Sequence, residues 1–169
     1  MANHLNDISK NHPDWVAEVI ADWFQVSSPN RQKLLKHAAR TLIKQGHPAT
    51  LSVFGFGDTS KLDVSLVLDK QKMKLGETIC LRLTINNRSE QINQLLIDYV
   101  VYHKKANGSL TPKVFKWKTA ALCKNKQVEI EKKHTIKAIT TRKYYSGEHK
   151  VAVQINGKIF ESKTFELTV

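Results

Sequence analysis

No run of apolar residues in this chain approaches the roughly 20 that a helix needs to span a bilayer. The opening residues Met1-Ala2-Asn3-His4 also lack the apolar stretch of a secretory signal, so a cytoplasmic location is the expectation. Cysteine is scarce. Cys80 and Cys123, without an export signal before them, read as free thiols rather than a bridge. Neither belongs to a C-x-x-C. The histidines do not pair at ligand spacing either: His4, His12, His37 and His47 are scattered, and His12 and His47 precede prolines as helix caps. No metal site and no cofactor are expected. The nucleophile elbow G-x-S-x-G, the P-loop and G-x-G-x-x-G are missing as well, for Phe54-Gly55-Phe56-Gly57 lacks both the third glycine and a preceding strand.

The most uneven shortage is of acid. From Tyr102 to Lys143 twelve Lys/Arg face only Glu129 and Glu131, which accounts for +10 of the chain's formal +12. Because these cations alternate with Val, Phe, Trp and Ile, the segment reads as folded β-structure with a basic face, not as a disordered tail. Clustered cations on a folded surface point to a polyanion, and nucleic acid is the first candidate because neutralising phosphates releases counterions.

The chain changes grammar near Gly55 to Ser60, which divides it into residues 1–58 and 59–169. Apolar residues recur at helical spacing before the boundary. Met1, Leu5 and Ile8 form one stripe, closed at Lys10-Asn11 by a left-handed Asn cap. His12-Pro13 restarts a helix whose face is Trp15, Val19 and Trp23 with Val16, Ile20 and Phe24, the two tryptophans reading as core. Pro29 fits the first turn of a third helix, predicted from about Asn30 to Gln45. Gly46 ends it, and His47-Pro48 opens a short fourth helix to about Phe54. Each helix is apolar on more than one side, as in the paired helices of a solenoid. Such arrays need about three repeats to bury their faces, so this half is expected to be the end of a longer array with Met1, Leu5 and Ile8 exposed.

After the boundary the apolar residues alternate: Leu62 to Leu68, Ile79 to Ile85, Leu95 to Val101, Lys113 to Thr119, Gln127 to Thr135, His149 to Asn156 and Lys158 to Thr168. Asn156-Gly157 signals a tight hairpin. Seven or eight short strands over about 110 residues predict an immunoglobulin-like sandwich. Tyr145-Ser146-Gly147-Glu148-His149-Lys150-Val151 resembles the corner before an immunoglobulin F strand, with His149 where tyrosine is usual and Val151 in place of the bridging cysteine. The fold class is therefore α+β and multidomain: a short helical segment, then an all-β sandwich.

Ala2-Asn3-His4-Leu5-Asn6-Asp7-Ile8-Ser9-Lys10-Asn11-His12-Pro13-Asp14 resembles a HEAT-like repeat of the bacterial DNA alkylation repair glycosylases, in particular their AlkC branch. So does Leu35 through Pro48, followed by Phe54-Gly55-Phe56-Gly57. Ile97-Asp98-Tyr99-Val100-Val101, Lys105-Ala106-Asn107-Gly108, Pro112-Lys113-Val114-Phe115-Lys116 and Thr140 through Gly147 resemble the Ig-like extension of one subgroup. The resemblance implies removal of N3-methylated bases such as 3-methyladenine by hydrolysis of the N-glycosidic bond. It also implies alkylated duplex DNA as partner, lying in the groove of the helical array with the Ig-like domain completing the clamp. Most repeats of that array are absent from this sequence. The principal catalytic carboxylate and aromatics are therefore expected outside it, in upstream HEAT-like repeats.

The candidate DNA contacts are Lys33, Lys36, Arg40 and Lys44, one stripe of the third helix, and Lys104, Lys105, Lys113, Lys116, Lys118, Arg142 and Lys143 of the β half. Phe115 and Trp117 read as core, on the face opposite Lys116 and Lys118. On the first helix Asn3, Asn6 and Asp7 could face the groove or serve as inter-repeat hydrogen-bond partners. Asp7 is the one candidate catalytic carboxylate, placed to stabilise positive charge on the sugar. Two other readings stay open: an Ig-like adaptor that binds an acidic protein through the same lysines, and a chain with no surviving activity.

Overall fold

A computed structural model describes all 169 residues. The chain divides into two units, Met1–Asp58 with Asn156–Lys158, and Thr59–Ile155 with Ile159–Val169. The first holds five helices: α1 (Ala2–Ile8), α2 (Pro13–Gln25), α3 (Pro29–Ala38), α4 (Arg40–Gln45) and α5 (Pro48–Val53). Prolines occupy the first turn of α2, α3 and α5, where a missing N–H costs nothing. Ser28 caps α3 by accepting from the Arg31 amide, and His47 caps α5 by accepting from the Thr50 amide. Gly46 ends α4 at φ 77°.

Four details differ from the sequence expectation. No left-handed Asn follows α1. Its last carbonyls are met instead by the Asn11 and His12 amides, both on Ile8 O at 3.0 Å, and by the Ser9 hydroxyl donating to Asn6 O at 2.8 Å. The buried stripe of α2 is rotated one residue from the tryptophan row: Val16, Ala17 and Ile20 pack with Leu35, Ala39 and Leu42, which leaves Trp15 53% exposed. The third helix is broken at Ala39. Buried Asn6 explains the break, because its Oδ1 accepts the Thr41 amide at 3.0 Å and so withdraws that amide from the His37 carbonyl, which Arg40 Nη1 approaches at 3.5 Å. Leu5, expected at the surface, is buried with Ala2 and Ala38 against Trp23, and only Met1 of its stripe is fully exposed.

The second unit is a two-sheet sandwich. β1 (Leu62–Leu68), β3 (Thr78–Asn87) and β6 (Gln127–Thr135) form an antiparallel sheet with β3 central. The other sheet has the order β2-β8-β7-β4-β5, from β2 (Lys72–Lys74), β8 (Lys158–Thr168), β7 (Gly147–Ile155), β4 (Asn93–Lys104) and β5 (Leu110–Leu122), with β2 parallel to β8. Ile79, Leu81, Leu83 and Ile85 alternate inward from β3 and meet Leu95, Ile97, Tyr99 and Val101 of β4 and Val151, Val153 and Ile155 of β7. Each such side chain contributes about 1.5–3 kcal/mol relative to exposure. Asn156 at φ 46° and Gly157 at φ 78° form the two-residue turn between β7 and β8 that the Asn-Gly pair predicts. Phe115 and Trp117 pack on the core as expected, stacked and edge-on to Tyr99 with centroids at 5.2 and 5.8 Å. Cys80 and Cys123 are both unpaired thiols.

Candidate nucleic-acid interface

Four of the cations singled out from the sequence converge on one cleft. Lys104 ends β4, Lys105 follows it, and Arg142 and Lys143 come from the β6–β7 connection; together they line a cleft of about 320 Å3. Local chemistry fixes their presentation. In the β4–β5 turn the Lys105 amide donates to Ser109 O at 2.8 Å, and Asn107 Oδ1 accepts from the Ser109 amide and hydroxyl at 3.1 and 2.7 Å. Arg142 is held by a β-bridge to Ile139. The Lys104 ammonium lies against Gly147, where any side chain would collide with it. Lys143 Nζ sits 5.6 Å from the centroid of Tyr145, which also lines the cleft. None of the four cations is ion-paired, and no carboxylate is among the lining residues.

His103 and Thr111, cross-strand partners in β4 and β5, line the same cleft. Neither sequence position had been singled out. His103 is 4% exposed and both its ring nitrogens lack a partner, as does Thr111 Oγ1. Orphaned buried groups cost about 1–3 kcal/mol each, so two such side chains at one cleft are an uncompensated cost of the fold. Burial first, then the Arg142 charge, holds the His103 imidazole down at about 3. His149 lies beside it, ring centroids 5.9 Å apart, with Nδ1–H donating to Gly147 O at 3.0 Å and Nε2 unpartnered. Burial lowers its pKa as well, against the opposing Gly147 carbonyl. A signal existed: His103 continues the inward alternation of Tyr99 and Val101, so an imidazole was due at the end of an apolar row.

The remaining candidates lie apart from the cleft. Lys113 is exposed on the Phe115 side of β5, its Nζ 5.3 Å from that ring, and its charge adds to burial in lowering the pKa of half-buried His134 and, to a smaller extent, of His103. Lys116 and Lys118 are exposed, Lys116 opposite Asp98 and Lys118 opposite Ile97 across a register shift. On the helices, Lys36 Nζ stands 5.8 and 5.4 Å from the Phe54 and Phe56 rings. Arg40 donates to Asn3 Oδ1 at 3.0 Å, an atom His37 Nε2 also approaches at 3.2 Å. Lys33 and Lys44 are exposed on the same helices. Asp7 is exposed and paired with Lys10 at 2.8 Å, and the Lys10 hydrogen bond and charge hold its carboxyl below the usual range. Asn6 is a structural partner of Thr41 rather than an exposed contact. The cleft therefore offers cations, hydroxyls and a neutral imidazole without a carboxylate. Those are groups that hold an anion.

Residues 63–169 match the family described as "Uncharacterised protein YhaZ, C-terminal Ig-like domain". The chain belongs to that family. It is 32% identical over 168 residues to protein YhaZ of Bacillus subtilis (strain 168), a match spanning 99% of this chain and 46% of that relative. Among solved structures it is similar to Pseudomonas fluorescens alkylpurine DNA glycosylase AlkC bound to DNA containing an abasic site analog, with 37% identity and a TM-score of 0.94 over 99% of this chain and 47% of that one. A β-glucosidase from Listeria innocua, at 16% identity and a TM-score of 0.55 over 68% of this chain, shares the fold alone. The chain thus spans about half the length of these two relatives. No helix is long and apolar enough to cross a membrane.

Proposed function

We propose that this chain is the DNA-holding part of a DNA alkylation repair protein of the 3-methyladenine glycosylase type. On this reading, residues 1–58 are the end of a HEAT-like array and 59–169 an Ig-like domain that contacts the DNA backbone. The observation that carries the reading is the match, over 99% of the chain, to an alkylpurine glycosylase bound to DNA. The unpaired cations of the cleft support it, because cations without carboxylate partners break no ion pair when they turn to phosphates. Alkylated duplex DNA is the proposed partner, and Lys104, Lys105, Arg142 and Lys143 are the first contacts, with Lys116, Lys118 and the Lys33, Lys36, Arg40 and Lys44 stripe contributing less.

Duplex binding by the 169 residues should be weak, indifferent to sequence and steep in salt. With about four phosphates neutralised, log K should fall against log salt with a slope near −3.6, about −0.9 per phosphate. Changing Lys105 and Arg142 together to Gln should flatten that slope. An unchanged slope would remove the cleft from the interface, and tighter binding to an acidic protein than to DNA would favour the adaptor reading.

A further inference from the structure

The cleft has a feature that a diffuse basic patch does not need, namely a polar floor without partners. Three side chains carry buried polar atoms without partners, and two of them, the buried His103 and the half-buried Thr111, are among the residues that line this one cleft. They are held in place by the β4–β5 ladder, so the floor is set by main-chain register rather than by flexible surface chains. Above it stand Lys104, Lys105 and Arg142, none of them ion-paired. We propose that this cleft is a socket for one phosphate group, gripped by Lys104, Lys105 and Arg142 and seated on the Thr111 hydroxyl and the His103 imidazole.

Chemistry selects the occupant. An apolar ligand would leave three cations and two polar groups without partners. A carboxylate would satisfy Arg142 but has only two oxygens and one charge for five donors. A phosphate presents more oxygens and, as a monoester, close to two charges, and Arg142 can meet it with two parallel N–H groups. A volume of about 320 Å3 is at the small end of ligand sites, enough for a phosphate and part of its sugar and too small for a duplex. Two sources share this chemistry: a phosphate projecting from a DNA strand or strand end, and a free phosphate or monoester. The inference rests on the DNA-holding reading only in preferring the first source. An anion in the socket would also offset the Arg142 charge that now helps keep His103 neutral, so occupancy should raise the affinity of that imidazole for a proton.

The test uses the whole 169-residue chain at one ionic strength set by chloride. Inorganic phosphate, a 5′-phosphorylated trinucleotide and its unphosphorylated counterpart are titrated separately, while NMR follows the His103 ring nitrogens and the Thr111 amide. Expected are saturable shifts at both residues with the two phosphate-bearing probes, and a drop in affinity of tenfold or more in Arg142→Gln and in Thr111→Val. Lys126→Gln removes the same charge at the opposite end of β5 and should leave affinity within twofold. Shifts no larger than those from added chloride would overturn the socket, as would equal losses in Arg142→Gln and Lys126→Gln. Duplex binding measured in parallel separates the two readings. Phosphate binding that Arg142→Gln abolishes while duplex affinity stays unchanged supports the socket, assigns it to free phosphate and counts against a DNA role for the cleft. Duplex binding with no phosphate site sinks the socket and leaves the DNA-holding reading intact.

Discussion

His103 is buried neutral, with its pKa held near 3, whereas in the unfolded chain it titrates at about 6.5. The folded value is depressed, so the neutral form is favoured on folding. The stability associated with it is complete above pH 6.5 and is lost as pH falls from there toward 3, because the unfolded chain takes up the proton first. At pH 5 the loss from this residue should be about 2 kcal/mol. His149, lowered in the same direction, adds to it. Urea unfolding at pH 7.5 and pH 5.0 reads this directly: His103→Leu should lose less stability between the two values than the native chain, and should be no less stable at pH 7.5 because its orphaned nitrogens are gone. Equal losses would place the acid sensitivity elsewhere. At this scale the sequence was half legible. Runs of cations in Lys104-Lys105 and Arg142-Lys143 are visible without a structure, but their meeting depends on the β4–β5 turn and the β6–β7 connection, which bring together Lys105 and Arg142, 37 positions apart in the chain. Lys113 reads like its neighbours in the sequence, and only strand parity sets it on the Phe115 side of β5, where it stays exposed over that ring.

Among the elements, the break between α3 and α4 shows how one buried polar side chain overrides a long helical pattern. The stretch from Asn30 to Gln45 has the periodicity of one helix, and nothing local in it forbids that. The interruption comes from Asn6, 35 positions away, which captures the Thr41 amide. Asn6→Leu removes that acceptor and leaves either an unpaired buried N–H or a straightened helix that no longer fits α1. A loss of about 1–3 kcal/mol is expected, measured as a lower urea midpoint followed by tryptophan fluorescence. An unaffected midpoint would mean the break is set by packing around Ala39 instead. The strands were more legible than the helices because alternation is a short-range signal read directly by the sheet, and β8 runs from Lys158 to Thr168 as the pattern indicates. What alternation could not reveal was pairing order. The parallel contact of β2 with β8 joins segments 94 positions apart, with only three residues of β2 to announce it.

For the molecule as a whole, the proposed chemistry asks for more than these residues supply. Cleaving a glycosidic bond requires the lesion to be held against a positioned carboxylate and an aromatic surface in a site that excludes water. The cleft has no carboxylate among its lining residues. Asp7, the one candidate, is exposed and engaged by Lys10, so it is ionised but surrounded by water, where a charge stabilises a developing cation weakly. The relatives that match at 32% and 37% identity are each about twice as long. The 169 residues alone should therefore retain duplex DNA while releasing no 3-methyladenine above background from methylated DNA, assayed by chromatography of freed bases. Joining to them the remaining half of the Pseudomonas fluorescens glycosylase should yield release, and Arg142→Gln in that fusion should weaken substrate capture more than turnover, since the cleft is proposed to hold the DNA. Robust release by the 169 residues, abolished by Asp7→Asn, would sink this division of labour and make Asp7 the catalytic carboxylate.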